Sequence, residues 1–351
     1  LQSKGNRVVT ATGAGDETGI WNETAAINVK AKTSSTPKKL LVLLPSESSD
    51  PGSTTGKSGN PITTTVAGST FTVTVYVTDE YFNPFDPGDV ISESPAQVYL
   101  QTSDTYDLTS ATKTLTDKTT TFNIVMYQAS TQTVFAITNV AGYTNYTEAL
   151  APGATNIRIN PDTAVKLQLI MPGEAPRPGY SGGTGVGYSV DRTTGGKVNL
   201  PNVLVAGDTY YTTVNCVDKY FNLVNSCNPT VDIEFADEAN TSENDQTGIF
   251  ANSALVAGTK QFPVRFLKAA WTGGADIYGG NRRVDITAAG KNADYNDIIN
   301  VKPAATSKMQ VVIRPDIDET ERPGLLAGKS GGVVDKTAGT GFIVRINRTD
   351  Q

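Results

Sequence analysis

One long sequence unit occurs more than once along this chain, and this repetition constrains the fold more than any other feature. A lysine opens a short, mostly apolar segment that ends in proline at three places, Lys39–Pro45, Lys166–Pro172 and Lys308–Pro315. A Pro-Gly pair follows each of these segments within a short loop. Because self-similarity at long intervals is the signature of repeat proteins, we predict an array of similar domains.

The second block shared by the repeats alternates apolar and polar residues with a period of two. Residues 71–83 read Phe-Thr-Val-Thr-Val-Tyr-Val-Thr-Asp-Glu-Tyr-Phe-Asn, and a related pattern returns over residues 210–222. Such alternation is typical of a β-strand with one buried face. No segment keeps a helical period for three turns, so we predict an all-β fold built from two-sheet sandwiches.

Alignment of the repeats predicts four blocks. Residues 1–35 are predicted to be the last strands of a preceding repeat, and residues 306–351 the first strands of a following one. Residues 36–162 and 163–305 are predicted to be complete units. About seven strands per unit, with turn signals between them, suit an immunoglobulin-like sandwich with long loops.

The block from Phe71 to Asn83 resembles the strand-and-turn signature of bacterial immunoglobulin-like repeats. Such repeats stand in tandem in large surface proteins, including the stalks of invasin- and intimin-type adhesins. As repeats, the resemblance covers essentially the whole chain, and it implies tandem immunoglobulin-like β-sandwiches in a linear array. It also implies an extracellular or cell-surface location, with neighbouring repeats or copies of the same protein as partners.

The leading functional prediction is a structural segment of such a protein, as part of a stalk, a filament or a surface layer. The alternative is an adhesin segment whose loops bind a glycan or a protein receptor. The second complete unit is the better candidate for binding, because it is longer over residues 237–259 and 271–282. An accessory module of a secreted polysaccharide-degrading enzyme is a third alternative.

Aromatic residues in predicted loops are where an adhesin would stack a sugar ring, although packing at a sandwich end is their more ordinary use. These residues are Trp21, Trp271, Tyr143, Tyr146, Tyr278 and Tyr295.

Composition excludes several classes of function. The chain has no histidine, which removes histidine-dependent catalytic triads and histidine zinc ligands. The net charge of −6 disfavours nucleic acid as a partner. The longest aliphatic run, Leu40–Leu44, is far shorter than the about 20 residues of a membrane helix. Adjacent carboxylates such as Asp237 and Glu238 have no partner groups that the sequence can place, so we predict neither enzymatic activity nor a cofactor.

Two Gly-Lys-Ser triplets look like the end of a phosphate-binding loop. They are Gly56-Lys57-Ser58 and Gly328-Lys329-Ser330. The preceding glycines, Gly52 and Gly324, are one residue too close for that motif, and no helix follows. We therefore interpret the triplets as turns of the repeat and predict no nucleotide site.

Oxygen-bearing side chains recur beside a predicted turn, as Asp79 with Asn83 and as Asp218 with Asn222. Calcium needs six to eight oxygen ligands, so the favoured interpretation is a strand-ending turn in which these side chains bind backbone amides. A second calcium candidate is an acidic cluster, for which a solvated loop is the favoured explanation. Its members are Asp316, Asp318, Glu319 and Glu321.

Cys216 and Cys227 are the only cysteines, and they lack the spacing of a metal site. Cys216 aligns with the inward-facing Val77, and Cys227 precedes the next predicted strand. Two free buried thiols are one interpretation. The extracellular location expected of such an array favours a disulfide between them.

Four Asn-x-Ser/Thr triplets are candidate glycosylation sites, at Asn22, Asn145, Asn240 and Asn347.

Overall fold

The computed structural model divides the chain into two compact units, Leu1–Asn160 and Pro161–Gln351. It describes residues 1–14, 20–34, 38–91, 97–107, 112–115, 118–138, 143–144, 156–180, 196–237, 253–267, 269, 282–314, 319–321, 329–332, 335 and 337–349. Within these residues the regular structure consists of strands, without an α-helix. None of the described residues forms a helix that could span a membrane.

The strands described in the first unit are β1 (Gly5–Ala14), β2 (Ile20–Val29), β3 (Lys38–Leu43), β4 (Ser48–Ser49), β5 (Lys57–Ser58), β6 (Thr70–Thr78), β7 (Gln97–Thr102), β8 (Thr112–Thr114), β9 (Thr119–Val125), β10 (Thr131–Ile137), β11 (Tyr143–Thr144) and β12 (Asn156–Arg158). One four-stranded sheet has the order β12-β10-β7-β8 and the other the order β11-β3-β6-β9. The remaining strands form the two hairpins β1-β2 and β4-β5.

The core of the first unit follows from the alternation along β6. Val73, Val75 and Val77 are at most 2% exposed, whereas the intervening Thr72 and Thr74 face outward. In the antiparallel register, Val75 lies opposite Val42 of β3. Side chains of the second sheet are buried as well, namely Val98, Leu100, Val134, Ala136 and Ile157. Each sheet therefore has one apolar face removed from water, as in a β-sandwich.

The strands described in the second unit are β13 (Lys166–Ile170), β14 (Ala175–Pro176), β15 (Lys197–Val198), β16 (Leu204–Val205), β17 (Tyr210–Val217), β18 (Thr230–Asp237), β19 (Ser253–Ala254), β20 (Thr259–Val264), β21 (Arg282–Thr287), β22 (Asp294–Ile299), β23 (Val301–Lys302), β24 (Lys308–Arg314), β25 (Glu319–Glu321), β26 (Lys329–Gly331) and β27 (Ile343–Thr349). The sheets β13-β17-β20 and β19-β18-β21-β22 enclose one core. Its members from the two sheets include Leu169, Val214 and Phe262 on one side, and Ile233, Val284 and Ile286 on the other.

The last strands of the second unit form two separate two-stranded sheets, β24-β27 and β25-β26. In the first of these, Val311 lies opposite Ile346, and both side chains are exposed. The prediction of an all-β fold made of immunoglobulin-like sandwiches is confirmed by the two cores. The division into blocks 1–35, 36–162, 163–305 and 306–351, and the linear order of an array, stay predictions.

Candidate functional site

The same five-residue turn closes the inner strand of each sandwich and gathers the polar groups that the repeats share. In the first unit it follows β6 and spans residues 79–83. Asp79 is 1% exposed, and its Oδ1 accepts hydrogen bonds from the backbone N–H groups of Tyr81 and Asn83, both at 2.9 Å. The Asn83 side chain donates from Nδ2 to Asp79 Oδ2 at 2.9 Å. A single buried carboxylate thus holds the turn closed.

The copy in the second unit follows β17 and spans residues 218–222. Asp218 is fully buried, and its Oδ1 accepts from Tyr220 N at 2.8 Å and from Asn222 N at 2.9 Å. Asn222 Nδ2 donates to Asp218 Oδ2 at 2.9 Å. The agreement with the first copy shows that residue type and spacing alone reproduce this turn. Because both carboxylate oxygens already accept N–H groups, the arrangement favours a backbone-capping role over metal ligation.

In both units the second carboxylate oxygen of the turn also binds the segment that leads into the sandwich. Lys32 N donates to Asp79 Oδ2 at 2.9 Å, and Asp162 N donates to Asp218 Oδ2 at 2.9 Å. Lys32 and Asp162 each precede the first strand of their sheet, β3 or β13. The turn therefore fixes the point at which the chain enters each sandwich.

Ion pairs reinforce this attachment. Lys32 Nζ lies 2.7 Å from Glu80 Oε1, and Lys219 Nζ lies 3.2 Å from Asp162 Oδ2. The backbone N–H of Thr163 donates to Asp162 Oδ1 at 2.7 Å. This hydrogen bond holds the pKa of Asp162 below its ordinary value, and Lys219 acts in the same direction. These pairs are largely solvent-exposed, so they contribute little to stability compared with the buried aspartates.

In the first unit, the turn asparagine also binds a segment distant in sequence. Asn83 Oδ1 accepts from Lys4 N at 2.7 Å, and Asn83 Nδ2 donates to Gln2 O at 2.7 Å. The amide thus pairs with the backbone as a neighbouring strand would. Lys4 Nζ adds an ion pair to Asp86 at 2.8 Å. The turn consequently binds two approaching segments, residues 2–4 and residue 32.

The phenylalanine of each turn lies in the left-handed region of the backbone, with φ 60° at Phe82 and 63° at Phe221. This conformation directs the Phe82 ring onto Leu41 and Leu43, which β3 presents on the face away from the main core. A lysine lies over each ring: Lys39 Nζ is 4.0 Å from the centroid of Phe82, and Lys166 Nζ is 3.3 Å from that of Phe221. These are cation–π contacts made by the residue that opens each repeat.

The Gly-Lys-Ser triplet at residues 56–58 packs behind this ring. Gly56 has φ +75°, and a Cβ there would lie 2.4 Å from Phe82 Cγ. Lys57 Nζ forms an ion pair with Glu47 Oε1 at 2.7 Å, and both side chains are buried. The glycine is therefore needed for contact with an aromatic ring, and the lysine already has a carboxylate partner.

The counterpart of this triplet in the second unit is Gly196-Lys197-Val198, which the sequence comparison missed because it has no serine. Gly196 has φ +81°, and a Cβ there would lie 2.0 Å from Phe221 Cγ. The sequence signal that the two segments share is a Gly-Lys dipeptide ahead of a strand. The triplet at residues 328–330 includes Lys329 and Ser330 of β26, and Gly328 lies outside the described residues.

The remaining candidate carboxylates are only partly described. Asp237 ends β18, and Glu238 lies outside the described residues. Glu319 and Glu321 belong to β25, whereas Asp316 and Asp318 lie outside the described residues. Within the described part of the chain, no group of three or more cysteine, aspartate or glutamate side chains is placed to hold a metal ion.

The predicted aromatic and glycosylation residues are only partly described. Tyr295 lies under Arg283, whose Cζ is 4.0 Å from the ring centroid. Asn347, on β27, donates from Nδ2 to Gln310 Oε1 at 3.1 Å across the strand pair. Three others have a described backbone only, namely Trp21 and Asn22 on β2 and Tyr143 on β11. Outside the described residues lie Trp271, Tyr146, Tyr278, Asn145 and Asn240.

Cys216 and Cys227 lie within bonding distance, with sulfur atoms 2.00 Å apart and Cα atoms 6.0 Å apart. This geometry is compatible with the disulfide that we propose for the protein. Cys216 belongs to the buried core, and Cys227 packs against it. The bond would join the end of β17 to the segment before β18, next to the turn at residues 218–222.

Reduction is expected to lower the free energy of unfolding of the second unit by about 2–3 kcal/mol, because a disulfide restricts the unfolded chain. Denaturant titration with and without a reductant measures this difference. A Cys227→Ser variant is the control and should not respond to the reductant. Two titratable thiols in the unreduced, unfolded wild-type chain would contradict the bond.

The two-sheet cores and their shared turn define the class of this chain, a protein of repeated immunoglobulin-like β-sandwiches. No protein-family model and no curated protein matches it. Among solved structures, the chain is similar to the Escherichia coli adhesin FdeC, with 15% identity over 80% of this chain and 68% of that one, at a TM-score of 0.26.

Two other solved structures show a comparable likeness. A glycosyl hydrolase family 2 member from Bacteroides cellulosilyticus has 15% identity over 77% of this chain but only 29% of its own, at a TM-score of 0.25. Domains 5–6 of the S-layer protein SbsC have 10% identity over 69% of this chain and 94% of their own, at 0.19. Because these TM-scores are low, the assignment of fold rests on the sheets of this chain and not on the likeness to these structures.

Proposed function

We propose that this chain is a structural segment of a large extracellular or cell-surface protein, in which repeated sandwiches serve as spacers in a stalk, a filament or a surface layer. The observation that carries the proposal is the entry attachment made twice by the same turn. Lys32 N and Asp162 N each donate at 2.9 Å to a buried aspartate. A protein that spans distance needs the chain held at a defined point of each repeat, since a loose linker acts as a flexible coil.

The chemistry of the turn supports this role over a ligand site. Its carboxylates are buried, and their hydrogen bonds go to backbone and side-chain N–H groups of the same unit. Lys39 and Lys166, which occupy equivalent positions in the two repeats, lie over the turn aromatics. The groups that the repeats share are therefore used to join segments of the chain.

The alternative, an adhesin segment, depends on loop aromatics and on the longer loops of the second unit. Most of those residues lie outside the described part of the chain, and the Tyr295 ring is covered by Arg283. Partners under the structural proposal are neighbouring repeats or copies of the same protein. A glycan or a surface receptor would be the partner under the alternative.

Surface labelling tests the location that the proposal requires. An antibody raised against residues 1–351 is expected to label intact cells of the producing organism, and external protease is expected to remove the label. An antibody against a cytosolic protein is the control for cell integrity. Labelling that appears only after permeabilisation would contradict the proposal.

A binding screen separates the two roles. The purified chain is expected to show no saturable binding to glycan arrays or to extracellular-matrix proteins if it is a spacer. Saturable binding to one glycan, competed by the free sugar, would establish the adhesin alternative instead.

A further inference from the structure

Two apolar sheet faces of this chain are exposed, one on the hairpin β1-β2 and one on the two-stranded sheet β24-β27. On the hairpin, Val9 is 53% exposed and Ile27 is 48% exposed. On the sheet, Val311 is 46% exposed and Ile346 is 61% exposed. Exposed apolar faces mark interaction surfaces, and an isolated two-stranded hairpin is only marginally stable in water. Each face therefore gains stability when a partner covers it.

The sequence of the hairpin repeats that of two neighbouring strands in the second unit. Residues 6–12 share the pattern Asn-Arg-x-Val-x-x-Thr with residues 281–287. Residues 27–30 read Ile-Asn-Val-Lys, and so do residues 299–302. By this alignment β1 corresponds to β21, and β2 corresponds to β22 together with β23.

The pairing register of the strands agrees with this alignment. Arg7 lies opposite Ile27, as Arg282 lies opposite Ile299. Alternation along the two strands places four apolar residues on one side of the hairpin, which we call the hairpin face. It consists of Val9, Ala11, Ile27 and Val29. Their counterparts in the second unit are fully buried, namely Val284, Ile286, Ile299 and Val301. The hairpin face therefore has the sequence of a core surface.

The sheet β24-β27 corresponds in the same way to the strand pairs β3-β6 and β13-β17. All three pairs bring one core position of each strand into the same register. The matched residues are Val42 with Val75, Leu169 with Val214, and Val311 with Ile346. The first two of these pairs are fully buried, whereas the third is exposed. The side of the sheet that carries the third pair, which we call the sheet face, consists of Met309, Val311, Val344 and Ile346.

In the second unit, the counterparts of these two faces cover each other. Leu169 and Val214, from the sheet β13-β17-β20, share one core with Val284 and Ile299 from the facing sheet. The hairpin face thus has the residues that would cover the sheet face, and the sheet face has those that would cover the hairpin face. Because both faces are exposed within one chain, a second copy is the partner that can supply the missing cover.

Charge complementarity supports the pairing of the two faces. The strands β24 and β27 carry no anionic side chain and four cationic ones, Lys308, Arg314, Arg345 and Arg348. Residues 5–29 of the hairpin carry three anionic side chains and one cationic one. By alternation, Arg348 shares the sheet face and Glu23 shares the hairpin face. Opposite charges of this kind steer two surfaces together and fix their register.

We propose that the hairpin face of one copy docks on the sheet face of a second copy, so that the two copies complete one sandwich core between them. Because the two faces differ, the contact is heterologous, and its repetition from copy to copy produces a filament or a ring. This inference rests on the proposed function, in which copies of the same protein are partners, and it assigns the surface through which those copies join.

Sedimentation velocity of the purified full chain at increasing concentrations tests the proposal. The wild-type chain is expected to form dimers and then larger species. Ile27→Glu, on the hairpin face, and Ile346→Glu, on the sheet face, are each expected to weaken association at least about 100-fold, because each buries an unpaired carboxylate in the contact. An equal mixture of the two variants is expected to form a dimer and no larger species, since one variant keeps an intact hairpin face and the other an intact sheet face.

Val8→Glu and Ile343→Glu are the matched controls, because they alter the opposite sides of the same strands, and both should associate as the wild type does. A wild-type chain that stays monomeric at every concentration would overturn the interface, whether or not any variant folds, and would leave the surface location to be decided by antibody labelling. A mixture that stays monomeric while the wild type associates would also overturn it. So would wild-type association of either single variant, because two identical faces would then form the contact.

Discussion

Replacing Asp218 by alanine is expected to lower the free energy of unfolding of the second unit by roughly 3–5 kcal/mol. The carboxylate is fully buried and accepts N–H groups from Tyr220, Asn222 and Asp162. Each buried donor that loses its partner costs about 1–3 kcal/mol. Denaturant titration of the full chain measures the effect, with the transition of the first unit as an internal reference.

Two variants make this prediction specific. Asp218→Asn keeps the shape but turns one oxygen into a donor, so an intermediate loss is expected. Asp208→Ala removes an exposed aspartate of the same unit and should change stability by less than about 0.5 kcal/mol. If Asp218→Ala behaved like Asp208→Ala, the turn would not be the buried anchor described above. Asp79→Ala should instead lower the free energy of unfolding of the first unit.

Replacing Gly196 by alanine is expected to destabilise the second unit by about 2–5 kcal/mol. The backbone at Gly196 has φ +81°, a conformation that costs an alanine about 1–2 kcal/mol. The new Cβ would also lie 2.0 Å from Phe221 Cγ. Phe221 is 5% exposed and lies under Lys166, so displacing the ring would cost about 1–3 kcal/mol more.

Gly207 supplies the matched control for this substitution. It has a similar φ of +88°, but a Cβ there would meet no atom within 4 Å. Gly207→Ala should therefore show the backbone cost of about 1–2 kcal/mol alone. Equal losses for the two variants, measured by denaturant titration, would show that Phe221 yields freely and that the glycine is not needed for its packing.

The strand content of this chain was accessible from sequence because alternation is a local property. Val73, Val75 and Val77 occur at every second position, and a pleated strand places every second side chain on one face. The turn after β6 was accessible for a related reason, since Asp79 bonds to amides within four residues along the chain. Such contacts need no knowledge of the rest of the fold.

The outer face of β3 shows where local pattern stopped being informative. Leu40 and Leu41 are both fully buried, although neighbouring residues of a strand point to opposite faces. Leu40 belongs to the inner face and Leu41 packs against Phe82 on the other. The run of leucines does not identify what covers the second face, because the cover comes from a turn far along the chain.

The sequence by itself determined the all-β class, the repeated turn and the lysine that begins the opening strand of each repeat. These features depend on neighbours within a few residues. Tertiary structure decided that Gly56 and Gly196 each pack against the turn phenylalanine of their own unit. It also decided that Asp79 and Asp218 bind the entering chain and that Glu174, Lys197 and Asp294 meet. Those contacts join strands distant in sequence, and the crossing of the sheets, rather than any local spacing, brings them together.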